Sequence, residues 1–383
     1  MRNIMAEPSI PPTPAAAATV ATAATATSAP ATEPLHRLFA ALSGPAREEL
    51  LAIAQPVSFM QGAVLLRQGA PTRGAFFLRC GVAEAAVRLP GGESLVLARA
   101  GAGGVIGEMA LLEHGICSAT VTAAEAIDGL FIGRDDFRVL VARRSAAALA
   151  VQRAVTFNLC AKLSALNAQI LIHPAPEDAP YTLPSSASAV SPPPAHAAPA
   201  PASGFEHRRF LPVLPLFRDW DDDEIDDITD RAGVLTLKRG EPLFYEGSEA
   251  SACYITVRGA IDIAVPLRAQ GGAAPTHLRR LAVLGPGQLI GHRSLIDGTT
   301  HAARARACED CVLLALPRAQ FLELLGGTAP ASQRLQGAVH GALLRSMAHT
   351  NVTLTRLVNL TKVDAANSAA LEAALAEQVL YAS

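Results

Sequence analysis

Two short stretches carry the residues best suited to hold a small ligand. The first, GEMALLEHGICSAT, runs from Gly107 to Thr120, and the second, GHRSLIDGTTHAAR, from Gly291 to Arg304. A glycine leading into a short helix can present backbone N–H groups to an anion. A guanidinium nearby adds a charge-assisted, often bidentate contact. In the first stretch the place suited to that cation holds Cys117, followed by Ser118; in the second it holds His301. A thiol with an ordinary pKa near 8.5 is mostly neutral at pH 7. A neutral histidine is also a poor anion clamp, and helps only when protonated, below about pH 6.5. The acidic partner of the first stretch, Glu108, is His292 in the second, with Arg293 beside it and Arg304 and Arg306 on one face of the next strand.

Other candidates are weaker. CEDC at 308–311 has the spacing of a metal or redox pair, but it falls between two expected strands, where a turn belongs, and there is no second C-x-x-C. It reads as a turn, and no metal site is expected. Cys80, Cys117, Cys160 and Cys253 read as small apolar fillers. DWDDDEIDDITD at 219–230 reads as a short helix with Ile225 and Ile228 inward and most aspartates in solvent. The chain shows no P-loop, H-E-x-x-H, nucleophile elbow or kinase signature, so no enzyme activity is expected.

The elements that position these stretches come twice. Phe39, Gly62, Gly69 and Gly81 are matched 178 residues later by Phe217, Gly240, Gly247 and Gly259. The offset then grows to 184, pairing Gly107 with Gly291 and Phe137 with Phe321. A constant offset with one step implies one fold used twice, with a longer connection in LRAQGGAAPTH. Short apolar runs such as AFFLRCGVAEAAVRL and ACYITVRGAIDIAVPL, broken by Gly81 and Gly259, read as β-hairpins. Each set lies between helices. Val151, Val155, Leu159, Leu163, Leu166 and Ile170 form a stripe on the helix after the first set. Leu335, Val339, Leu343, Met347, Leu354, Leu357 and Leu360 do so less cleanly after the second. These stripes pack either on their own barrels or helix to helix, within the chain or in a dimer; the second arrangement is the stronger expectation.

The expected organisation is an Ala/Thr/Pro-rich disordered tail over 1–33, a first domain with its helix over 34–173, and a Pro/Ser/Ala-rich linker over 174–204. A second domain with its helices then spans 205–360, and a helical tail 361–383. The net charge of −2 over 383 residues excludes a generally basic nucleic-acid surface. No run of eighteen uncharged apolar residues is seen, so no membrane contact is expected. Six cysteines spread through the chain suit a reducing cytoplasm.

In their order and repetition, GAVLLRQG with FFLRCGVAEAAV, GEPLFYEG with CYITVRGAIDIAV, and the two stretches above resemble the cyclic nucleotide-binding domain. That family includes the receptor domains of catabolite-activator-type regulators and of kinase regulatory subunits. The resemblance covers about 35–172 and 212–360. It implies a mainly β fold with flanking helices: two antiparallel jelly-roll barrels, each followed by long helices. It implies that the two stretches are phosphate-binding cassettes, in which a glutamate takes the ribose 2′-hydroxyl, an arginine nine residues later pairs with the phosphate, and a following Ser or Thr touches phosphate or base. Carried onto this chain, the first pocket would comprise Gly107, Glu108, Ala110, Leu111, Cys117 and Ser118, and the second, degenerate one Gly291, His292 and His301. Losing the arginine costs roughly 2–5 kcal/mol of binding.

The expectation is therefore a non-enzymatic regulatory or scaffold protein that does not bind cAMP or cGMP in the conventional way and acts through an unidentified protein partner, with a possible homodimer through the long helices. The alternative is a ligand-sensing subunit using the first pocket. No cofactor is expected. Nor is nucleic-acid binding, since only 23 residues follow the last long helical region.

Overall fold

The computed structural model describes residues 42–71, 73–88, 94–112, 117–172, 179–180, 200–201, 207–267 and 277–381, with side chains to residue 360. The expected N-terminal tail, most of the linker and the 268–276 connection lie outside these residues. The described residues form one compact unit.

The first domain starts with α1 (Gly44–Ala52) and continues through β1 (Ala54–Phe59), β2 (Val64–Leu66), β3 (Gly74–Cys80), β4 (Ala83–Arg88), β5 (Ser94–Ala100) and β6 (Val105–Ile106). A 3-10 turn at Glu108–Leu111 precedes β7 (Thr120–Ala123) and β8 (Ile127–Gly133), and then come α2 (Arg134–Ala142) and the long α3 (Ala146–Ile172). Two antiparallel sheets, ordered β1-β8-β3-β6 and β2-β7-β4-β5, make the barrel. The hairpin between β3 and β4 turns at Gly81, whose φ is +84°; an added Cβ there would lie 2.1 Å from the Ala126 carbonyl oxygen, so only glycine fits.

Short strands β9 (Ala179–Pro180) and β10 (Ala200–Pro201) follow, then a single helical turn α4 (His207–Phe210) and α5 (Asp222–Arg231). The second barrel comprises β11 (Gly233–Leu237), β12 (Pro242–Phe244), β13 (Ala252–Arg258), β14 (Ile261–Leu267), β15 (His277–Leu284) and β16 (Leu289–Ile290), then α6 (His292–Asp297), β17 (Arg304–Ala307) and β18 (Cys311–Pro317). Its sheets, β10-β11-β18-β13-β16 and β12-β17-β14-β15-β9, repeat the first pair with one strand added to each. Those strands are the two described pieces of the linker: Ala179 and Pro180 pair with β15, Ala200 and Pro201 with β11. The chain ends in α7 (Arg318–Gly326) and α8 (Pro330–Tyr381), which runs unbroken through the expected start of the helical tail. The acidic stretch forms α5 with a capping box between Asp221 and Glu224, and Ile225 and Ile228 fully buried. Glu224 is turned inward and is paired with Arg334 of α8 at 3.0 Å.

The two helical stripes meet each other. Val151 to Ile170 on α3 and Leu335 to Leu357 on α8 are buried in one apolar core that also takes in Phe137, Phe217 and Phe321. This is helix-to-helix pairing within the chain. Among the described residues, α3 alone is long and apolar enough to cross a membrane by length and composition. It carries Arg153 and Lys162, and its apolar stripe is used in this core.

Polar contacts cross the helix pair at two places: the Thr350 hydroxyl donates to Asn167 Oδ1 at 3.4 Å, and a fully buried contact joins Thr156 to His340. The Thr156 hydroxyl lies 2.7 Å from the Gln152 carbonyl and 2.8 Å from His340 Nε2. A hydroxyl has one proton, and the carbonyl takes it, so His340 must donate from Nε2. Burial also holds the His340 pKa down at about 4, so the ring is neutral. Thr156→Val leaves that N–H unpaired and should cost about 1–3 kcal/mol. The double variant T156V/H340L should cost less than the sum of the two single changes in urea unfolding; strict additivity would show that the contact is not made.

Candidate functional site: two cassettes with different side chains

Both cassettes are built on the same backbone. Gly107 and Gly291 take left-handed φ values of +73° and +80°, and each starts the short helical segment that follows. A Cβ on Gly107 would lie 2.8 Å from the Gly74 carbonyl oxygen. Further on, the Gly69 N–H donates to the Cys117 carbonyl at 2.8 Å, and the Cys117 N–H to the Ala70 carbonyl at 2.8 Å. In the second copy Gly247 donates to the His301 carbonyl at 2.7 Å, and His301 to the Ser248 carbonyl at 2.9 Å. Cys117 and His301 are thus structural equivalents, anchored by the same two bonds, and what differs is the side chain each presents.

In the first cassette Glu108, Ala110, Leu111 and Cys117 are buried and Ser118 is half-buried. Residues 113–116 lie outside the described set. Burial raises the Cys117 pKa, so no charge stands there at neutral pH. The Glu108 carboxylate is ion-paired through one oxygen with Lys162 Nζ of α3. Lys162 was not singled out in the sequence. The available signal was that it and Arg153 are the only charges in a 27-residue apolar helix.

In the second cassette both histidines are buried. The His301 ring stacks on Phe244 with centroids 3.6 Å apart and planes 4° from parallel. It also lies against Gly291, where an added Cβ would be 3.3 Å from His301 Cε1. His292 is buried, and its Nδ1 has no hydrogen-bond partner among the described residues. Burial, with Arg293 and then Arg345, lowers the His292 pKa to about 4. Burial and Arg293 do the same to His301. Both rings are therefore neutral near pH 7. Arg304 and Arg306 share a strand face, and Arg306 Nε donates to the Gly240 carbonyl at 2.6 Å.

The helix α3 touches both cassettes. Two residues before Lys162, the buried Cys160 thiol faces the Asp297 carboxylate at the end of α6. Burial raises the pKa of both groups, and the Arg293 charge opposes this. Arg279 of β15, itself buried, donates to the Ile170 carbonyl near the end of α3. Neither Asp297 nor Phe244 was marked in the sequence, because neither sits where the family resemblance places a ligand contact.

The family pattern of the cyclic nucleotide-binding domain matches residues 56–144 and 234–327, and these ranges bracket the two barrels just described. The chain carries two cyclic nucleotide-binding domains in tandem. A cyclic AMP receptor protein from Thermus thermophilus is 35% identical over 115 residues, 29% of this chain and 49% of the relative. The chain thus spans about half the length of that curated relative. Among solved structures, the regulatory domain of Toxoplasma gondii PKA, crystallised with cAMP, is 19% identical, with 82% of this chain and 96% of that one covered at a TM-score of 0.28. The N-terminal domain of a Streptomyces coelicolor A3(2) transcriptional regulator is 31% identical, covering 32% and 87% at a TM-score of 0.30.

The histidines of these domains give a pH expectation. His292, His301 and His340 have folded pKa values near 4 against 6.5 in the unfolded chain. Between those values the unfolded state binds more protons, so stability is full above pH 6.5 and lost as pH falls toward 4. The urea midpoint should fall progressively from pH 7 to 4.5, and the triple substitution H292Q/H301Q/H340Q should flatten much of the decline. A separate variant tests the first cassette: Lys162→Met strands the Glu108 carboxylate and should lower stability by about 1–3 kcal/mol in thermal or urea unfolding.

Proposed function

We propose that this is a non-enzymatic regulatory or scaffold protein whose two domains keep the receptor shape without binding cAMP or cGMP in the conventional way. The observation that carries the reading is the His301 ring, stacked on Phe244 and pressed against Gly291. A ligand phosphate there would have to displace a packed, neutral ring and would gain no counter-charge. In the first domain, Cys117 supplies no charge either, and Glu108 is already committed to Lys162. The proposed partner is another protein, met in the cytoplasm, without cofactor, metal or nucleic acid. A homodimer is assigned to the outer faces of α3 and α8, where Phe157 and Val352 are exposed, because the inner stripes are occupied within the chain.

One observation favours the ligand-sensing alternative for the first domain: the Glu108–Lys162 pair would transmit any movement of that cassette directly to α3.

Calorimetric titration with cAMP and cGMP separates the two readings. No heat is expected at ligand concentrations up to the millimolar range, and micromolar binding of either nucleotide would overturn the proposal. Cys117→Arg should raise affinity in the first domain if its cavity is open. Sedimentation tests the dimer, and a monomer at all micromolar concentrations removes it.

A further inference from the structure

Cys308 and Cys311 stand at the corner where the second barrel passes from one sheet to the other, between the end of β17 at Ala307 and the start of β18 at Cys311. The two residues converge on one acceptor. The Cys308 N–H donates to the Ala260 carbonyl at 2.9 Å. The Cys311 thiol lies 3.4 Å from that same oxygen and 3.2 Å from the Glu309 carbonyl. It is confined on its other side by Gly259, where an added Cβ would lie 2.6 Å from Cys311 Sγ. Both thiols are free; Cys311 is buried and Cys308 half-buried. Burial raises the Cys311 pKa.

The fold does not need cysteine at this corner. The first barrel builds the same one with Ala124 and Ile127: the Ala124 N–H donates to the Val82 carbonyl at 2.8 Å, and Ile127 is buried as the first residue of β8. A paired thiol is thus an addition to the second copy. Nor do the two thiols have a metal's complement of ligands. Among the described residues no third His, Cys, Asp or Glu joins them, whereas a structural zinc takes four. Two thiols three residues apart on a bent chain, one reachable from solvent and one shielded, are suited to two-electron oxidation.

We propose that Cys308 and Cys311 form a reversible intramolecular disulfide when the protein meets a hydroperoxide. The Cys308 sulfur attacks the peroxide oxygen, becoming a sulfenic acid as the O–O bond breaks, and with hydrogen peroxide one water leaves. The Cys311 sulfur then attacks the sulfenic sulfur, forming the S–S bond and releasing a second water. The Cys311 thiol proton goes to that water, so the Ala260 carbonyl loses its sulfur donor and keeps the Cys308 N–H. A dithiol reductant reverses the change.

The test uses the full chain, treated with hydrogen peroxide, alkylated and digested. The peptide spanning 308–311 is expected to lose two hydrogen atoms, to resist alkylation, and to recover both thiols with dithiothreitol. In Cys311→Ser, Cys308 should stop at a sulfenic acid that dimedone captures. In Cys308→Ala, which restores the residue type found at Ala124, Cys311 should stay reduced while the fold is retained by circular dichroism. The exposed Cys80 is the internal reference. The proposal is overturned if the pair stays reduced while Cys80 is oxidised, or if wild-type Cys308 proceeds to sulfenic or sulfinic acid without pairing.

Discussion

Where α3 crosses α8, the Thr156 hydroxyl and the His340 ring meet beside the apolar core. Apolar stripes supply most of the attraction between two helices, but a stripe repeating every three or four residues is nearly as well satisfied after a slip of one turn. A single buried hydrogen bond is not, because a slip would leave both groups unpaired in a low-dielectric interior. This contact, with Thr350–Asn167, favours one register of α8 on α3, and α3 makes further polar contacts on its other sides. Lys162 reaches Glu108, Cys160 reaches Asp297, and Arg279 reaches the final carbonyls of α3.

The two cassettes show how one backbone can serve different electrostatics. Each is started by a left-handed glycine and closed by the same pair of main-chain bonds. Within that frame the first copy spends its carboxylate on an internal cation, while the second replaces its acidic and basic positions with histidines that burial keeps neutral. The family pattern over residues 56–144 and 234–327 gives the domain type. The side chains at 108, 117, 292 and 301 are what set the two copies apart within that shared frame.

Much of this was legible in the sequence. The repeated glycines mark turns at positive φ, which other residues rarely adopt, so their spacing gives the duplicated barrel, and the apolar period gives the helix seam. The neutral character of Cys117 follows from residue type. Other features were not legible, because they depend on distance through space. Lys162 is separated from Glu108 by 54 positions, and Phe244 from His301 by the whole of β13 to α6. Nothing local marks either pair. The linker illustrates a different limit: its composition predicts an extended chain, but not that two Ala-Pro pieces would each lie along a sheet edge.

The placement of Cys160 and Lys162 within one turn of the same helix, on different sides of it, has a consequence for how the molecule comes apart. Each domain contains a complete barrel, and a chain of this kind could melt in two independent steps. Here α3 is shared structure: its loss would expose an ion pair in one cassette, a thiol–carboxylate contact in the other and the core between them. Local opening of either cassette is thereby linked to opening of the other, and the two barrels form one cooperative unit rather than beads on a string.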